Sequence, residues 1–342
     1  MAMEKTLMWH ALLEYALFLA KVLTFLAALL LALLMLAALR RQRSPEGRLE
    51  LRHVNERYAE QRQQMQSLLL SGKDFKRWQR AQRRQGKEDD GRDKARVFVL
   101  SFDGDLRASA LAHLRQEISA LLAVAEPGRD EVALCLESPG GMVHAYGLAA
   151  SQLHRLRQAG LRLTVCVDKV AASGGYMMAA VADHIVAAPF AVIGSIGVVA
   201  QLPNLHRFLQ KHDVDIELHT AGAFKRTLTV LGENTEAGRN KFKEDLEQTH
   251  VLFKDFVVQH RPVVDIEQVA TGEHWFATQA LALKLIDELA TSDSYLIALC
   301  AEREVYEVHY RLPRPWLDRL GTQVAQVLTR IVDDLSSVRL IP

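Results

Sequence analysis

The stretch RLTVCVDKVAASGGYMMAA, residues 162–180, joins a strand-like segment to a helix-like segment through a turn that contains two glycines. Its first part is a continuous apolar run with β-branched residues, which is typical of a strand covered on both faces of a parallel sheet. One hydroxyl, on Ser173, stands at the junction with the helix-like part. A serine at such a point is either a helix N-cap or a nucleophile, and the rest of the chain has to decide between them.

The same alternation of strand and helix runs through most of the chain. Helical patterns cover about residues 109–124, 143–157 and 233–260. Further strand-like runs are RVFVLSF (96–102), EVALCLES (131–138), HIVAAP (184–189) and VDIELHT (214–220). Continuous apolar strands separated by helices predict an α/β fold with a mostly parallel sheet covered by helices on both faces.

The N-terminus contains an apolar run, Val22 to Leu39, of 18 residues without a charge. A helix of that length extends about 27 Å and nearly crosses a hydrocarbon core of about 30 Å. The run is longer than the core of a cleavable signal peptide, so residues 1–40 are predicted to be an uncleaved membrane anchor; a buried core helix is the alternative. Several arginines follow it, and the positive-inside rule alone would put the body in the cytoplasm, although a long translocated domain overrides that rule.

Three further segments complete the predicted domain organisation. Residues 41–95 are densely charged and predict a solvated stalk, or a basic surface for anionic lipid headgroups or a partner. Residues 96–310 form the main domain, and residues 311–342 predict an amphipathic helix for packing or for a membrane surface. Phe75 and Trp78 lie among the stalk cations without a nucleic-acid-binding fold around them, and the net charge is only +1. No nucleic-acid partner is expected.

The three cysteines predict free thiols. Cys135, Cys166 and Cys300 show no CxxC spacing, and the first two lie inside apolar strands. We therefore expect neither a disulfide framework nor a metal site, and no cofactor.

Two glycine-containing loops predict a site at the carboxyl ends of the parallel strands. SPGG (138–141) follows the second strand, and VAASGG (170–175) follows the third. Glycines there let backbone N–H groups approach a ligand oxygen closely. Ser173 at a helix start is then either a nucleophile facing an oxyanion pocket or only an N-cap.

A serine nucleophile needs a neighbouring base. His184 begins a predicted buried strand and has only its neighbour Asp183 to orient it, whereas His144 follows the SPGG loop. Lys225 lies in HTAGAFKRTLTVLGENT, among small and apolar residues, where removal from water would favour its neutral, basic form. The residues alone leave these three candidates open.

Several motifs together, in this order and at these intervals, resemble the serine peptidases of family S49, the signal peptide peptidase A family. The resemblance covers about residues 95–300. The motifs are SPGG (138–141), AASGGYMMA (171–179), IGSIGV (193–198), GAFKRTLT (222–229) and ATGEHWFATQALALKLIDEL (270–289).

The resemblance implies a crotonase- or Clp-protease-like α/β fold of stacked sheets and helices. It makes Ser173 the nucleophile and Lys225 the general base of an acyl-transfer reaction. Backbone N–H groups near Gly141 and Gly174 are then candidates for the oxyanion hole, and Ser195 either orients the lysine or is a turn residue.

The resemblance further implies a membrane-anchored endopeptidase of the cell inner membrane, with its catalytic domain on the periplasmic side. Its substrates would be signal peptides or membrane-protein fragments, and it would assemble as a homo-oligomer. Arg261 and Asp287 are either a structural ion pair or catalytic support. Two other functions stay open: an acyl-CoA enzyme on the same type of fold, and an inactive membrane scaffold.

Overall fold

The computed structural model describes residues 14–15, 17–29, 47–89 and 94–312, without the side chains of residues 83–89. Residues 49–310 form one compact unit, and the described residues outside this range belong to a second unit. Residues 17–29 of the N-terminal part are helical and their side chains are exposed. Residues 1–13, 16 and 30–40 of the predicted anchor and residues 313–342 of the predicted C-terminal helix lie outside the described residues.

The predicted transmembrane helix is not shown by this structure. Among the residues that the structure describes, no helix is both long enough and apolar enough to cross a membrane. Only the first eight residues of the apolar run, 22–29, fall within the description.

A seven-stranded sheet forms the centre of the unit, in the order β1-β10-β2-β3-β4-β6-β9. The pairs from β10 to β9 along this order are all parallel. The strands are β1 (Arg48–His53), β2 (Arg96–Asp103), β3 (Glu131–Glu137), β4 (Arg162–Val167), β6 (His184–Ala187), β9 (Glu288–Leu289) and β10 (Glu304–Arg311).

A second sheet of three short strands holds the segment that contains the serine. Its strands are β5 (Val170–Ala172), β7 (Val192–Gly194) and β8 (His274–Phe276), in the order β5-β7-β8. β5 and β7 run parallel, with Ala172 opposite Gly194, whereas β7 and β8 run antiparallel. A single parallel bridge between Ser138 and Ala171 joins the SPGG loop to this sheet.

Helices cover both faces of the large sheet, as the apolar strands predict. Alternate residues of β2 belong to different clusters on the two faces of the sheet. Phe98 and Leu100 belong to the main core, whereas Val97 and Val99 pack with Val54 in a second cluster. The helices are α1 (Val54–Leu69), α2 (Gly72–Asp89), α3 (Leu111–Leu122), α4 (Val143–Gln158), α5 (Gly174–Ala179), α6 (His206–Gln210), α7 (Glu236–His260), α8 (Ile266–Val269), α9 (Ala277–Ala282) and α10 (Ser292–Glu302).

The structure departs from the sequence prediction in the segment 214–220. No strand forms there, and all of its residues are exposed. The alternation of Val214, Ile216 and Leu218 with polar residues suits a strand, but a strand also needs a neighbour to pair with. No described strand is paired with this segment. The densely charged segment 41–95, in turn, contains β1 at the edge of the large sheet and the helices α1 and α2.

Candidate active site

Ser173 occupies a sharp turn between β5 and α5. Its backbone angles are φ 53° and ψ −120°, a conformation that L-amino acids rarely adopt and that costs about 1–3 kcal/mol. Two backbone hydrogen bonds hold it: its N–H donates to Gly194 O at 2.8 Å, and its carbonyl accepts from Met177 N at 2.9 Å. The Ser173 hydroxyl does not cap the helix. The N-cap interpretation therefore lacks the hydrogen bond that defines an N-cap.

The SPGG loop packs directly against this turn. Ser138 N–H donates to Val170 O at 2.8 Å, and Ala172 N–H donates to Ser138 O at 3.0 Å, so the loop is bonded to β5. Gly140 follows with φ 89°, and a Cβ there would lie 2.7 Å from Ser173 Cβ. Only a residue without a side chain fits at this approach.

Two residues that line the same small cavity as Ser173 have backbone N–H groups without a hydrogen-bond acceptor in the described chain. The N–H groups of Gly141 and Gly174 have no hydrogen-bond acceptor among the described residues. Both glycines and Ser173 line a cavity of about 20 Å³. That volume accommodates about one water molecule, which is also the size of a carbonyl oxygen. The arrangement offers a hydroxyl beside two donors that are free to bind an oxyanion.

Tyr146 packs against the loops that form this site, a contact that nothing in the sequence pattern indicated. Its side chain is fully buried. Its hydroxyl donates to Asp105 O at 2.7 Å and shares a 2.7 Å hydrogen bond with Ser138 Oγ, which also accepts from Gly140 N at 3.1 Å. A Cβ on Gly174 would lie 2.4 Å from Tyr146 Cγ. Burial raises the pKa of Tyr146, so the phenol stays a neutral donor.

Ser195 directly follows the neighbouring strand β7 and also has a positive φ. Its φ is 54°, and its N–H donates to Glu273 O at 2.7 Å. Because Ala172 pairs with Gly194, the residues that follow, Ser173 and Ser195, leave adjacent parallel strands at the same edge. Ser195 does not line the cavity at Ser173.

Lys225 lies elsewhere in this chain. It belongs to the segment between α6 and α7, its side chain is exposed, and its N–H donates to Gly222 O at 3.2 Å. It is not among the residues that line the cavity at Ser173. Its ammonium group has no hydrogen bond or ion pair with any described residue. The structure thus brings together Ser173, Gly141 and Gly174 and leaves Lys225 outside their cavity.

The two histidine candidates are also outside the cavity. His184 begins β6, and its Nε2 lies 3.1 Å from Glu288 Oε2. His144 is exposed on the first turn of α4. Neither residue lines the cavity that contains Ser173.

Arg261 and Asp287 form a structural tie between α7 and β9. Arg261 is 5% exposed, and its guanidinium donates to both Asp287 oxygens at 2.9 and 3.1 Å and to Lys284 O at 2.8 Å. Asp287 also accepts from Ile185 N at 2.8 Å. Burial acts to raise the pKa of Asp287, but these hydrogen bonds outweigh it and hold the pKa below its ordinary value.

α7 also lines the cavity, a contribution that sequence reasoning missed. Thr249 and Phe253 extend from this helix to the cavity beside Ser173. The amphipathic pattern of α7 predicted a packed face but could not show which residues of that face lie at the site. The remaining lining residues are Val143, Met177, Gly197 and Val198.

The three cysteines, Cys135, Cys166 and Cys300, are free thiols. Burial raises the pKa of Cys135 to about 11, which keeps its thiol protonated and unreactive. Among the residues covered by the structure, no group of three or more His, Cys, Asp or Glu side chains is placed to hold a metal ion.

Comparison with known proteins identifies the family. Residues 10–153 match peptidase family S49 N-terminal, and residues 155–305 match peptidase family S49. A Haemophilus influenzae protein named "Probable protease SohB" is 49% identical over 338 residues, which cover 94% of this chain and 96% of that protein. Two Buchnera aphidicola proteins have the same name. One is 55% identical to this chain, over 69% of this chain and 70% of that protein. The other is 46% identical, over 84% of this chain and 98% of that protein. The chain therefore belongs to peptidase family S49, and it is by that family a serine-type peptidase.

Proposed function

We propose that the protein is a serine–lysine endopeptidase on a crotonase-type fold, with Ser173 as nucleophile and Lys225 as general base. The conformation of Ser173 carries the proposal. A serine held at φ 53°, with a hydroxyl that caps nothing, lies beside two N–H groups without acceptors in the described chain. A purely structural serine needs neither the strain nor the free donors.

The proposed chemistry is acyl transfer. The Lys225 amine takes the Ser173 proton while Oγ attacks the carbonyl carbon of the scissile peptide bond. The oxygen that becomes negative enters the cavity between Gly141 and Gly174, where each N–H donor is worth about 2.7–4 kcal/mol of transition-state stabilisation. The Lys225 ammonium then protonates the leaving amine, and a water activated by Lys225 hydrolyses the acyl-enzyme. Ser195, at the adjacent strand end, is proposed to orient the lysine.

Lys225 is proposed to reach the site in a homo-oligomer. It lies in a segment, residues 199–231, that exposes an unusual number of large apolar side chains. Val199 is 91% exposed, Phe224 61% and Phe208 60%. A soluble unit rarely leaves so many apolar groups open unless another surface covers them. A second copy of the chain is the proposed cover, and the dyad then forms either within one chain or between two.

Paired variants test the dyad. Ser173→Ala and Lys225→Ala are each expected to abolish cleavage of a fluorogenic peptide and labelling by a serine-reactive fluorophosphonate probe. Ser151→Ala, an exposed serine on α4, and Lys243→Ala, an exposed lysine on α7, are the matched controls and should leave both readouts unchanged. Cleavage that survives in both dyad variants would reject the proposal.

Coexpression of the two inactive chains, with different tags, shows whether the dyad forms within one chain or between two. If Lys225 acts across a subunit boundary, oligomers containing both variants regain activity. If they stay inactive although both tags copurify, the dyad forms within one chain. A wild-type protein that is neither labelled nor active would favour the inactive scaffold, and one that hydrolyses thioesters but not peptides would favour the acyl-CoA enzyme.

We further propose that the N-terminal run anchors the protein once in the cell inner membrane, with the peptidase unit in the periplasm. The uncharged length of residues 22–39 supports the anchor. Substrates would be signal peptides or membrane-protein fragments, which are produced at that surface. Added protease should digest the unit in spheroplasts; protection until the membrane is lysed would instead support the cytoplasmic side, as the arginines after the run suggest.

A further inference from the structure

The helices α1 and α2 form a hairpin whose base is bonded to the body of the unit. At that base Val54 is buried, and the Asn55 amide donates to Cys300 O and Arg303 O at 3.0 and 2.8 Å. The Asn55 side-chain oxygen also accepts from Val305 N at 2.8 Å. One turn further on, Arg57 pairs with Glu307 at 2.8 Å.

Exposure of apolar side chains rises towards the tip of this hairpin. Met65 is 58% exposed, Leu68 83% and Leu69 70%. Leu68 and Leu69 are the last two residues of α1, and α2 begins at Gly72. Two adjacent, almost fully exposed leucines at the end of a helix are costly in water, because each forfeits most of the free energy that burial of a leucine gives.

Cations flank these leucines on the first turns of α2. Lys73, Lys76, Arg77 and Arg80 are all exposed, and none has an ion pair with any described residue. The nearby acid Asp74 accepts a hydrogen bond from Ser71 at 2.6 Å. The half-buried side of α2 carries Phe75 and Trp78, whose rings stack at 5.9 Å, together with Gln79 and Gln82. The helix thus separates its aromatic residues from its cations.

We propose that this tip, residues 65–80, docks onto the anionic phospholipid surface of the bilayer. Exposed leucines beside lysines and arginines suit a membrane interface, since the leucines enter the acyl boundary while the cations remain at the phosphates. Each cation close to an anionic leaflet contributes roughly fivefold to surface affinity. A second copy of the chain fits less well, because a symmetric contact would oppose the same four cations.

The proposal rests on the proposed membrane anchor, and the chain length allows it. Eight residues, 40–47, separate Leu39 from the start of β1 at Arg48. Eight residues span at most about 29 Å when fully extended. A bilayer that holds the apolar run is therefore within reach of the unit that carries the hairpin. Docking of the tip would keep the peptidase unit at the surface where membrane-derived peptides emerge.

Fluorescence quenching by brominated lipids tests this contact on the full chain. A fluorophore is placed on Leu68→Cys, and the protein is reconstituted into nanodiscs of phosphatidylcholine alone or of phosphatidylcholine with phosphatidylglycerol. Val124→Cys, at a 60% exposed position after α3, is the matched control, and labelled wild-type protein gives the background from the native thiols. Strong quenching is expected at position 68 in the anionic discs only, and none at position 124.

A charge-reversed variant tests whether the cations of α2 cause the quenching at position 68. Lys73→Glu/Lys76→Glu/Arg77→Glu, checked for helix content by circular dichroism, should reduce the quenching at position 68 to that of zwitterionic discs. High salt should do the same, because it screens the exposed cations. Equal quenching in the two disc types, or none in either, would overturn the proposal, as would label-to-label contact in detergent, which indicates a second copy.

The same experiment distinguishes failure of the proposed membrane anchor from failure of the proposed hairpin contact. A chain that does not enter the discs at all contradicts the anchor, whereas a chain that enters without quenching contradicts only the hairpin contact. In the first case the same labelled protein is mixed with anionic liposomes. Quenching at position 68 there would uphold the tip as a lipid surface on its own, and its absence would reject it. Peptide cleavage is read separately and is unaffected by either outcome.

Discussion

Substitution of Gly141 by alanine should disable the oxyanion hole and leave the fold in place. Gly141 does not have a positive φ, so alanine meets no conformational penalty there. The new Cβ would, however, lie 2.2 Å from Leu106 O and 2.7 Å from Leu106 C. Those are backbone atoms, and Leu106 O is already bonded to Met142 N–H at 2.9 Å. The contact must therefore be relieved by moving the glycine loop itself.

The size of the movement sets the size of the effect. Side-chain Cβ atoms essentially never approach another heavy atom within 3.0 Å, so the 2.2 Å contact requires a shift of at least 0.8 Å. A shift of that size takes the Gly141 N–H away from the position of the oxyanion, and loss of one such donor lowers kcat about 100- to 1000-fold. KM should change little, because the donor acts mainly in the transition state.

Gly147→Ala is the matched control. Gly147 lies inside α4, and a Cβ there meets nothing within 4 Å. Alanine in a helix interior is favoured over glycine by about 0.5–1 kcal/mol, so this variant should be slightly more stable with unchanged kinetics. The assay compares kcat and KM on a fluorogenic peptide with the thermal midpoint. A folded Gly141→Ala protein whose kcat stays within a few-fold of wild type would refute the assignment of this donor.

Three further predictions concern stability. Tyr146→Phe removes a fully buried hydroxyl that bonds two partners, and should lower the free energy of unfolding by about 1–3 kcal/mol in denaturant titrations. Asp287 has a lowered pKa, so its pairing with Arg261 stabilises the fold above the ordinary carboxyl pKa and is lost as pH falls through the native pKa; Asp287→Asn should flatten the acid limb of the thermal-midpoint profile. Burial lowers the pKa of His260, so the unfolded chain binds more protons and stability should fall as pH drops below about 6.5. His260→Gln should remove that part of the profile, and an unchanged slope would contradict the assignment.

The buried strands β2, β3, β4 and β6 were predicted from the sequence, but β1, β10 and the short strands β5, β7, β8 and β9 were not. β2, β3 and β4 each have six to eight residues and lie at the centre of the large sheet. Because they are buried, each contains a continuous run of apolar residues in the sequence. β5, β7 and β8 have three residues each, too few for any periodicity. The segment 214–220 shows the opposite error, since its alternation suits a strand but no pairing partner exists for it in the described chain. Pairing is a tertiary property that a local pattern does not contain.

Some residues of the candidate site were also indicated by local sequence features, whereas others are recognised only from the folded structure. The glycine loops indicated Ser173 as either a nucleophile or an N-cap, because small residues at strand ends are local in sequence, and the family resemblance added Gly141 and Gly174 as candidate donors. Tyr146 was missed because its role depends on contacts with the loops around it, and a buried tyrosine on an amphipathic helix normally indicates packing alone. Thr249 was missed because only the folded arrangement shows which side of α7 reaches the cavity.

The orientation of the Ser173 hydroxyl depends on the small sheet more than on the helix that follows it. Ser173 and Ser195 both have positive φ, and the N–H of Ser173 is bonded to Gly194 O, inside the neighbouring strand. Gly194 in turn has no room for a side chain, because a Cβ would lie 2.8 Å from the Trp275 ring on β8. Trp275 therefore packs directly against β7, and β7 supplies the carbonyl that accepts the hydrogen bond from the N–H of the strained turn. An N-cap serine requires none of these contacts, since its geometry is set by the helix alone. That three short strands cooperate to hold one residue in an unfavourable conformation is the physical reason for proposing that residue as the nucleophile.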